Sequence, residues 1–567
     1  MKSIYRIIFS IIFIIIPVSV FAQGGKDYGQ FAPAEAYLDS SEYAYYGSEN
    51  EWSQRMFSER AADRFYKRQG QRQLLTILKG QPEEAVKLCQ ARIEKNPNDT
   101  EAMFVRTIAY CQMNQRDKAI ASMKNALDAG LPVERFIAGP RDLLQLLLNA
   151  EEFKKIAAER SSDLIHGPML GSLTHESVRI WVRTASPSLV KVLIYENDES
   201  AKVIQKAVAH TKTAEDYTAV VEVNGLQPQT DYTYDLVIND IKIFAENRPG
   251  FRTFAMKNEP VAFDIAFGGG AGFTPIHEYI WNTIASFKPT VLFLLGDNVY
   301  IDLPEMPGAF HDYTYYRRQS RPEFRGLIKS TPVYAIWDDH DCAIDDIWMG
   351  PYRDKPEWKM PMLDVFRRNW NNPYYGDAEW PACWFDFSIG NVDFFMLDCR
   401  IYRTNPFAEN PTMLGPVQKE WLLDKLSNSN AEFKVIVSSV PWAPSAKPGS
   451  RDTWDGFADE RELIFSFIEQ HEIEGVLLMS ADRHRSDIRK IDRDGCYPLY
   501  DVMSSRLTNM HTHEVVPGAI FGYNETCSFG LLKFNTKLSD PQITFKIVNI
   551  DGDIIHSLDI KKSELEF

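Results

Sequence analysis

The stretch Pro332 to Asp346, PVYAIWDDHDCAIDD, constrains the fold more than any other. Val333 to Trp337 is a short apolar run that reads as a buried strand, and it stops abruptly at Asp338, Asp339, His340 and Asp341. In a parallel α/β sheet, ligands bind beyond the carboxyl ends of the strands, where the strand fixes the backbone and the following loop aims side chains into a crevice. Carboxylates packed this densely repel one another unless a cation joins them. Carboxylate oxygen and imidazole nitrogen suit a divalent or trivalent metal ion. A solvated acidic turn is the alternative reading of these residues alone.

Other apolar runs repeat the pattern. Thr290 to Leu295 ends in Gly296-Asp297-Asn298-Val299-Tyr300, where glycine permits a sharp turn that leaves Asp297 at the tip, placed to bridge two metals. Val476 to Met479 ends in Ser480-Ala481-Asp482-Arg483-His484, and a spacing of two in an extended segment puts Asp482 and His484 on one side. Val261 to Phe267 enters Gly268-Gly269-Gly270-Ala271-Gly272, which lacks the Lys-Ser/Thr of a P-loop and the spacing and trailing acid of a dinucleotide site. Three acidic strand ends, two with histidine, are expected to share one sheet and to cage metal.

At 567 residues the chain exceeds a single core and suggests about three or four domains. Its net charge of −16 argues against nonspecific binding to nucleic acid or to an anionic membrane, so an anionic substrate has to be met by a metal or a local arginine. Residues 1–22 combine Lys2 and Arg6 with an apolar run interrupted by Pro17. This predicts a secretory signal cleaved after Ala22, with an uncleaved anchor as the alternative, and hence a periplasmic or secreted protein. Seven cysteines without a CxxC pair exclude a zinc ribbon or redox motif and leave room for one or two disulfides.

The expected fold is multidomain α+β. After a lead-in over 23–60, helical signals run over 61–160. A 34-residue repeat there relates Ala85 to Ala119 and Ile93 to Leu127, with Asn96 to Asp99 as the break, and it resembles tetratricopeptide repeats. Two units are too few to stand alone. They act either as a brace on a neighbouring domain or as a groove for a protein partner. Over 162–256 short alternating strands, such as Ser177 to Arg183 and Tyr232 to Val237, predict a β-sandwich, and Gly225 to Tyr232 looks like the tyrosine corner of fibronectin type III domains. From 260 to 567 strands and helices alternate.

GDNVY, WDDHD, LDCR (Leu397 to Arg400), LGPVQKEWL (Leu414 to Leu422) and ADRH, in that order, resemble the alkaline phosphatase D (PhoD-like) family of calcineurin-type metallophosphoesterases. The likeness covers about Ser162 to the C-terminus. It implies a catalytic β-sandwich core flanked by helices and metal-dependent hydrolysis of a phosphate monoester or diester. It also implies Asp297 as the bridging carboxylate, Tyr300, Asp339, Asp482 and His484 as further metal ligands, and His340 as the active-site histidine. Asn298 and Arg400 would bind substrate, and Arg400 would face the phosphoryl group. Calcium or iron is the implied cofactor.

The chain departs from that pattern. Gly270 stands where iron-containing members use a cysteine thiolate, Asp345 where asparagine is common, and Ala481 where glycine is usual. The change at Gly270 leaves a second reading open, a degenerate relative that binds a ligand or partner without hydrolysis. A scaffold acting through its helical repeats is a third. His511 and His513 form a spaced pair with no acidic strand end beside them and read as loop residues; His277, His311 and His471 have no partner in sequence. The aromatic residues from Trp370 to Trp384 read as packing or a pocket wall.

Overall fold

The computed structural model describes residues 55–196, 202–244 and 247–567, so the expected signal over 1–22 and most of the lead-in lie outside the described residues. The described chain opens with helices α1 (Glu59–Arg64), α2 (Tyr66–Leu78), α3 (Pro82–Lys95), α4 (Thr100–Gln112) and α5 (Arg116–Asp128). Between α3 and α4 the chain turns at Asn96 to Asp99, and the Asp99 carboxylate restarts the helix by accepting the Ala102 N–H at 2.9 Å. Ala85, Ala102, Ala109, Ala119 and Ala126 are fully buried. Small side chains there let successive helices approach closely.

Eight strands follow, β1 (Leu164–Gly171), β2 (Ser177–Thr184), β3 (Leu189–Tyr195), β4 (Gln205–His210), β5 (Thr218–Asn224), β6 (Asp231–Ile238), β7 (Ile241–Lys242) and β8 (Gly250–Arg252). One sheet is ordered β1-β2-β5; the other is ordered β4-β3-β6-β7, with β8 also on β6. Tyr232 Oη accepts the Gln227 N–H at 2.9 Å, which ties the corner entering β6 to its own preceding loop.

The remaining chain builds two larger sheets. The first contains β9 (Ala262–Gly268), β10 (Val291–Leu295), β11 (Val333–Ile336), β19 (Ser528–Asn535), β20 (Gln542–Asn549) and β21 (Ile554–Lys561), in the order β11-β10-β9-β19-β20-β21. The second contains β12 (Phe385–Ile389), β13 (Val392–Met396), β14 (Phe433–Val437), β15 (Val476–Ser480), β16 (Ser486–Ile491), β17 (Leu499–Met503) and β18 (Ala519–Tyr523), in the order β12-β13-β14-β15-β17-β16-β18. Pairing is parallel along β9-β10-β11 and along β13-β14-β15-β17.

This corrects the expectation of a single sheet: Asp297 and Asp339 follow strands of the first sheet, whereas Asp482 and His484 follow β15 in the second. The sheets meet through aromatic side chains. Phe293 on β10 lies 5.3 Å, ring to ring, from Phe394 on β13, and Tyr334 on β11 stacks at 4.0 Å on Phe387 of β12. Such rings bury large apolar areas with specific geometry, and they lock the register of one sheet on the other. The acidic loops therefore converge from two facing sheets.

The seven cysteines are all free thiols, so the room the sequence leaves for one or two disulfides is not used. Six of them are buried. Among the described residues no helix is long and apolar enough to cross a membrane.

Candidate metal centre

Gly296, with φ +99°, ends β10; a β-carbon there would stand 2.4 Å from Asp338 Cβ, so only glycine lets the β10 and β11 loops come this close. Asp341 ties the two loops. Its carboxylate accepts the N–H groups of Asn298, Val299 and Asp338, each at 3.0 Å. One of the four residues read as metal-seeking thus shapes the backbone instead. Asp297, Asp482 and His484 have φ of +55°, +69° and +46°. Non-glycine residues in this region are strained and cluster at functional sites.

Carboxylate oxygens of Asp297 and Asp339 and a ring nitrogen of His340 lie within 4.8 Å of one another. Tyr300 Oη donates to Asp297 Oδ2 at 2.7 Å and stands 3.0 Å from His484 Nε2, which is itself 3.5 Å from Asp297 Oδ2. Asp297, Tyr300, Asp339, His340 and His484 are therefore brought together from three strand ends. Asp482 is not in that grouping. Its Oδ2 is buried without a hydrogen-bond partner, 3.8 Å from Arg483 Nη1. Asn298 donates its amide to the Ile336 carbonyl at 2.8 Å and to Asp341, so only its Oδ1 is left to face a ligand.

Arg400 corrects the sequence reading. Its side chain is 0% exposed, with Nε donating to Asp338 at 2.5 Å and the two terminal nitrogens held by Asp452 at 2.5 and 3.2 Å. A guanidinium clamped by two carboxylates holds the loops together and is not free to grip a phosphoryl oxygen. Its charge also offsets part of the acidic crowding, since Asp339, Asp346 and Asp452 form another close carboxylate group, with Lys447 on Asp346 at 2.8 Å.

Sequence reasoning missed Asp302, Lys67 and Arg68. Asp302 is fully buried; it accepts His340 Nδ1–H at 2.5 Å on one oxygen and Arg68 on the other. Lys67 Nζ lies 3.0 Å from the centroid of the Tyr300 ring, and Gln71 donates to the Tyr300 carbonyl at 2.6 Å. Helix α2 thus covers one side of the site. Asp302 sits two residues past Tyr300 and had a local signal as another acid in the GDNVY loop. Lys67 and Arg68 had none.

Electrostatics follow from this packing. Burial pushes the Asp297 carboxyl up, and Asp339, Asp338 and Asp341 add to it against the relief from His340. Burial, opposed by Arg400 and reinforced by Asp339, pushes Asp338 up to about 8. Burial disfavours the charged forms of Asp339 and His340 as well, yet Arg400 and His340 outweigh it for Asp339 and hold it low, and Asp302, Asp339 and Asp297 outweigh it for His340 and hold it high. Asp297 Oδ1, Asn298 Oδ1, Asp338 Oδ2, Asp482 Oδ2 and His484 Nδ1 are buried with no hydrogen-bond partner. Unpaired buried acceptors are costly, and this many around one centre fit a bound cation. Half-buried Asp345, Asp346 and Asp482 mark the side that solvent reaches.

Known proteins resemble this chain in sequence and fold. Residues 265–524 match the family model described as PhoD-like phosphatase, and residues 161–256 match a domain of unknown function (DUF7800). Alkaline phosphatase D of Bacillus subtilis (strain 168) is 24% identical over 385 residues, 56% of this chain and 64% of that protein, so the chain spans under two thirds of that relative's length. A solved structure of PhoD superposes with a TM-score of 0.59 at 17% identity, covering 70% of this chain and 90% of that one. Purple acid phosphatase PPD1 from yellow lupin (Lupinus luteus) seeds superposes at 0.51 with 11% identity, covering 70% and 75%. Through residues 265–524, just under half of its length, the chain is similar to the PhoD-like phosphatase family.

Proposed function

We propose that the protein is a metal-dependent hydrolase of phosphate esters working outside the cytoplasm. The observation that carries the reading is the convergence of Asp297, Asp339, His340, Tyr300 and His484 around buried acceptors that lack partners. Asp297, Asp339, His484 and the Tyr300 oxygen would hold the metal, with Asp482 reaching it from the β15 loop. When bound, divalent cations polarise a phosphoryl oxygen and lower the pKa of a coordinated water. His340, oriented by Asp302, would protonate the leaving oxygen, and that ion pair keeps the ring in one orientation. Asn298 Oδ1 would face the ligand. Arg400 acts as a positioning residue, through Asp338 and Asp452.

The remaining parts have supporting roles in this reading. Residues 1–22 serve as a secretory signal, residues 162–256 as a fibronectin-like sandwich and residues 260–567 as the catalytic domain. Residues 61–160 form a tetratricopeptide-like module used as a brace, which the buried Arg68–Asp302 contact supports over a free protein-binding groove. The test is turnover of p-nitrophenyl phosphate and bis-p-nitrophenyl phosphate by metal-stripped protein, with calcium, iron, zinc or manganese restored singly and in pairs. Metal-restored hydrolysis of either ester supports the proposal. Bound metal without hydrolysis of any ester would favour the non-hydrolytic reading prompted by Gly270.

A further inference from the structure

What fills the place left at Gly270 is visible in the structure. Gly270 has φ +70°, and a β-carbon built on it would stand 3.0 Å from the Arg506 backbone nitrogen, 3.2 Å from Ser505 Oγ and 3.2 Å from His484 Cδ2. The tightest of these contacts is with backbone, so a cysteine enters only if the loop after β17 retreats. That loop is pinned in place. The N–H groups of Thr508 and Asn509 both donate to the Gly270 carbonyl, at 3.3 and 3.2 Å. The chain has drawn this loop into the space a longer side chain would need, and the same loop then delivers His511 and His513.

Three imidazoles gather there. Ring centroids are 5.2 Å apart for His484 and His511, 5.5 Å for His484 and His513, and 4.5 Å for His511 and His513. One ligating nitrogen from each lies within 4.8 Å of the others. The cluster is held by its surroundings: Thr512 Oγ1 donates to the His484 carbonyl at 3.1 Å, the His511 N–H donates to Asn509 Oδ1 at 3.2 Å, and Asn524 Nδ2 donates to the His513 carbonyl at 2.9 Å. His484 is 6% exposed and its Nδ1 has no hydrogen-bond partner. A buried imidazole nitrogen without a partner, beside two further imidazoles, is an independent sign of a missing ligand.

We infer that His484, His511 and His513 form a tris-imidazole site for a borderline first-row transition cation of the zinc class, next to Asp297. The inference rests on the metallophosphatase reading for its placement, because His484 Nε2 also lies 3.5 Å from Asp297. Three neutral nitrogens suit zinc, cobalt, nickel or copper and are poor partners for calcium or magnesium, which take oxygen. Nitrogens bound at about 2.0–2.1 Å around a tetrahedral cation lie roughly 3.3 Å apart, within reach of small rotations of the two half-buried rings. A fourth position stays open to a water.

The test uses the full chain stripped of metal and titrated with Co²⁺, whose visible spectrum reports donor type and geometry. The wild type is expected to bind Co²⁺ with intense bands of low-coordinate, nitrogen-ligated cobalt, displaced by Zn²⁺ and unaffected by excess Ca²⁺. His511→Ala and His513→Ala are each expected to weaken Co²⁺ binding by at least ~10-fold and to change the bands. Thermal melting without metal checks folding. Variants that titrate like the wild type, or Ca²⁺ that competes as well as Zn²⁺, would overturn the inference. Ester turnover in the same samples separates the two claims: turnover with His511- and His513-independent cobalt binding sinks only the tris-imidazole site. Histidine-dependent binding without turnover sinks only the hydrolase.

Discussion

The Lys67 ammonium lies 3.0 Å from the centroid of the Tyr300 ring, and the next residue along α2, Arg68, reaches Asp302 and through it His340. A helix far outside the family-matched region therefore closes one side of the candidate metal centre. On the proposed reading, the helical segment takes part in the site's function. Arg68→Met should lower kcat by about 10–100-fold, the range seen when a residue orienting a site group is lost, while metal content stays the same. Inductively coupled plasma analysis beside steady-state kinetics checks this, and unchanged kcat would show that Asp302 orients His340 without help.

His340 and Asp297 should separate chemistry from metal retention. His340→Ala is expected to reduce turnover by about 10²–10⁴-fold with bound metal largely kept, since Asp297, Asp339 and His484 remain. Asp297→Ala should lose both together. Equal metal loss in the two variants would make His340 a ligand rather than a proton donor.

Arg400 should behave as a structural cation. Its guanidinium is enclosed by Asp338 and Asp452, and removing one partner of a buried pair costs about 3–5 kcal/mol. Arg400→Met is therefore expected to lower the unfolding free energy by that order, and combining it with Asp452→Asn should recover part of the loss. Denaturant unfolding of the four-member mutant cycle measures the coupling. A variant of wild-type stability with only a raised KM would restore the phosphoryl-binding role.

Metal removal should destabilise the fold as well as stop turnover, because the partnerless acceptors at the centre then face one another uncompensated. A cation at 100 times its Kd adds about 2.7 kcal/mol to stability. Chelation should lower Tm accordingly, and adding back the ion should restore it; a Tm indifferent to both would mean that the carboxylates tolerate their own crowding.

Asp312, in the first turn of the helix Ala309–Gln319, gives a pH signature away from the metal. Burial, with Asp216 adding to it, pushes its carboxyl up to about 6. With the folded value above the unfolded one, the folded state holds the proton longer, so this residue's contribution to stability falls as pH rises from about 4 to about 6 and stays low above that. Asp312→Asn should gain about 1 kcal/mol at pH 7 relative to wild type, and the gain should vanish below about pH 4. Urea melts at the two pH values decide it.

Much of the fold was legible because it is written over short distances. Apolar runs about as long as a strand, ending at Gly296-Asp297 or at Trp337-Asp338, announce strands and their functional ends, since side-chain burial repeats within a few residues. The ordered motifs pointed to a resemblance with PhoD-like phosphatases, and they named Asp297, Tyr300, Asp339, His340 and His484, which do come together.

Tertiary structure decided what no local pattern encodes. That β10 and β15 lie in different, facing sheets depends on strand pairing between distant segments. That Arg400 is enclosed, that Asp341 serves the backbone, and that His511 and His513 meet His484 beside Gly270 depend on loops brought together from far along the chain. Arg68 and Asp302 are 234 residues apart. An ion pair closed across that span owes its existence to the packing of whole domains, and neither residue's neighbours in sequence carry any trace of it.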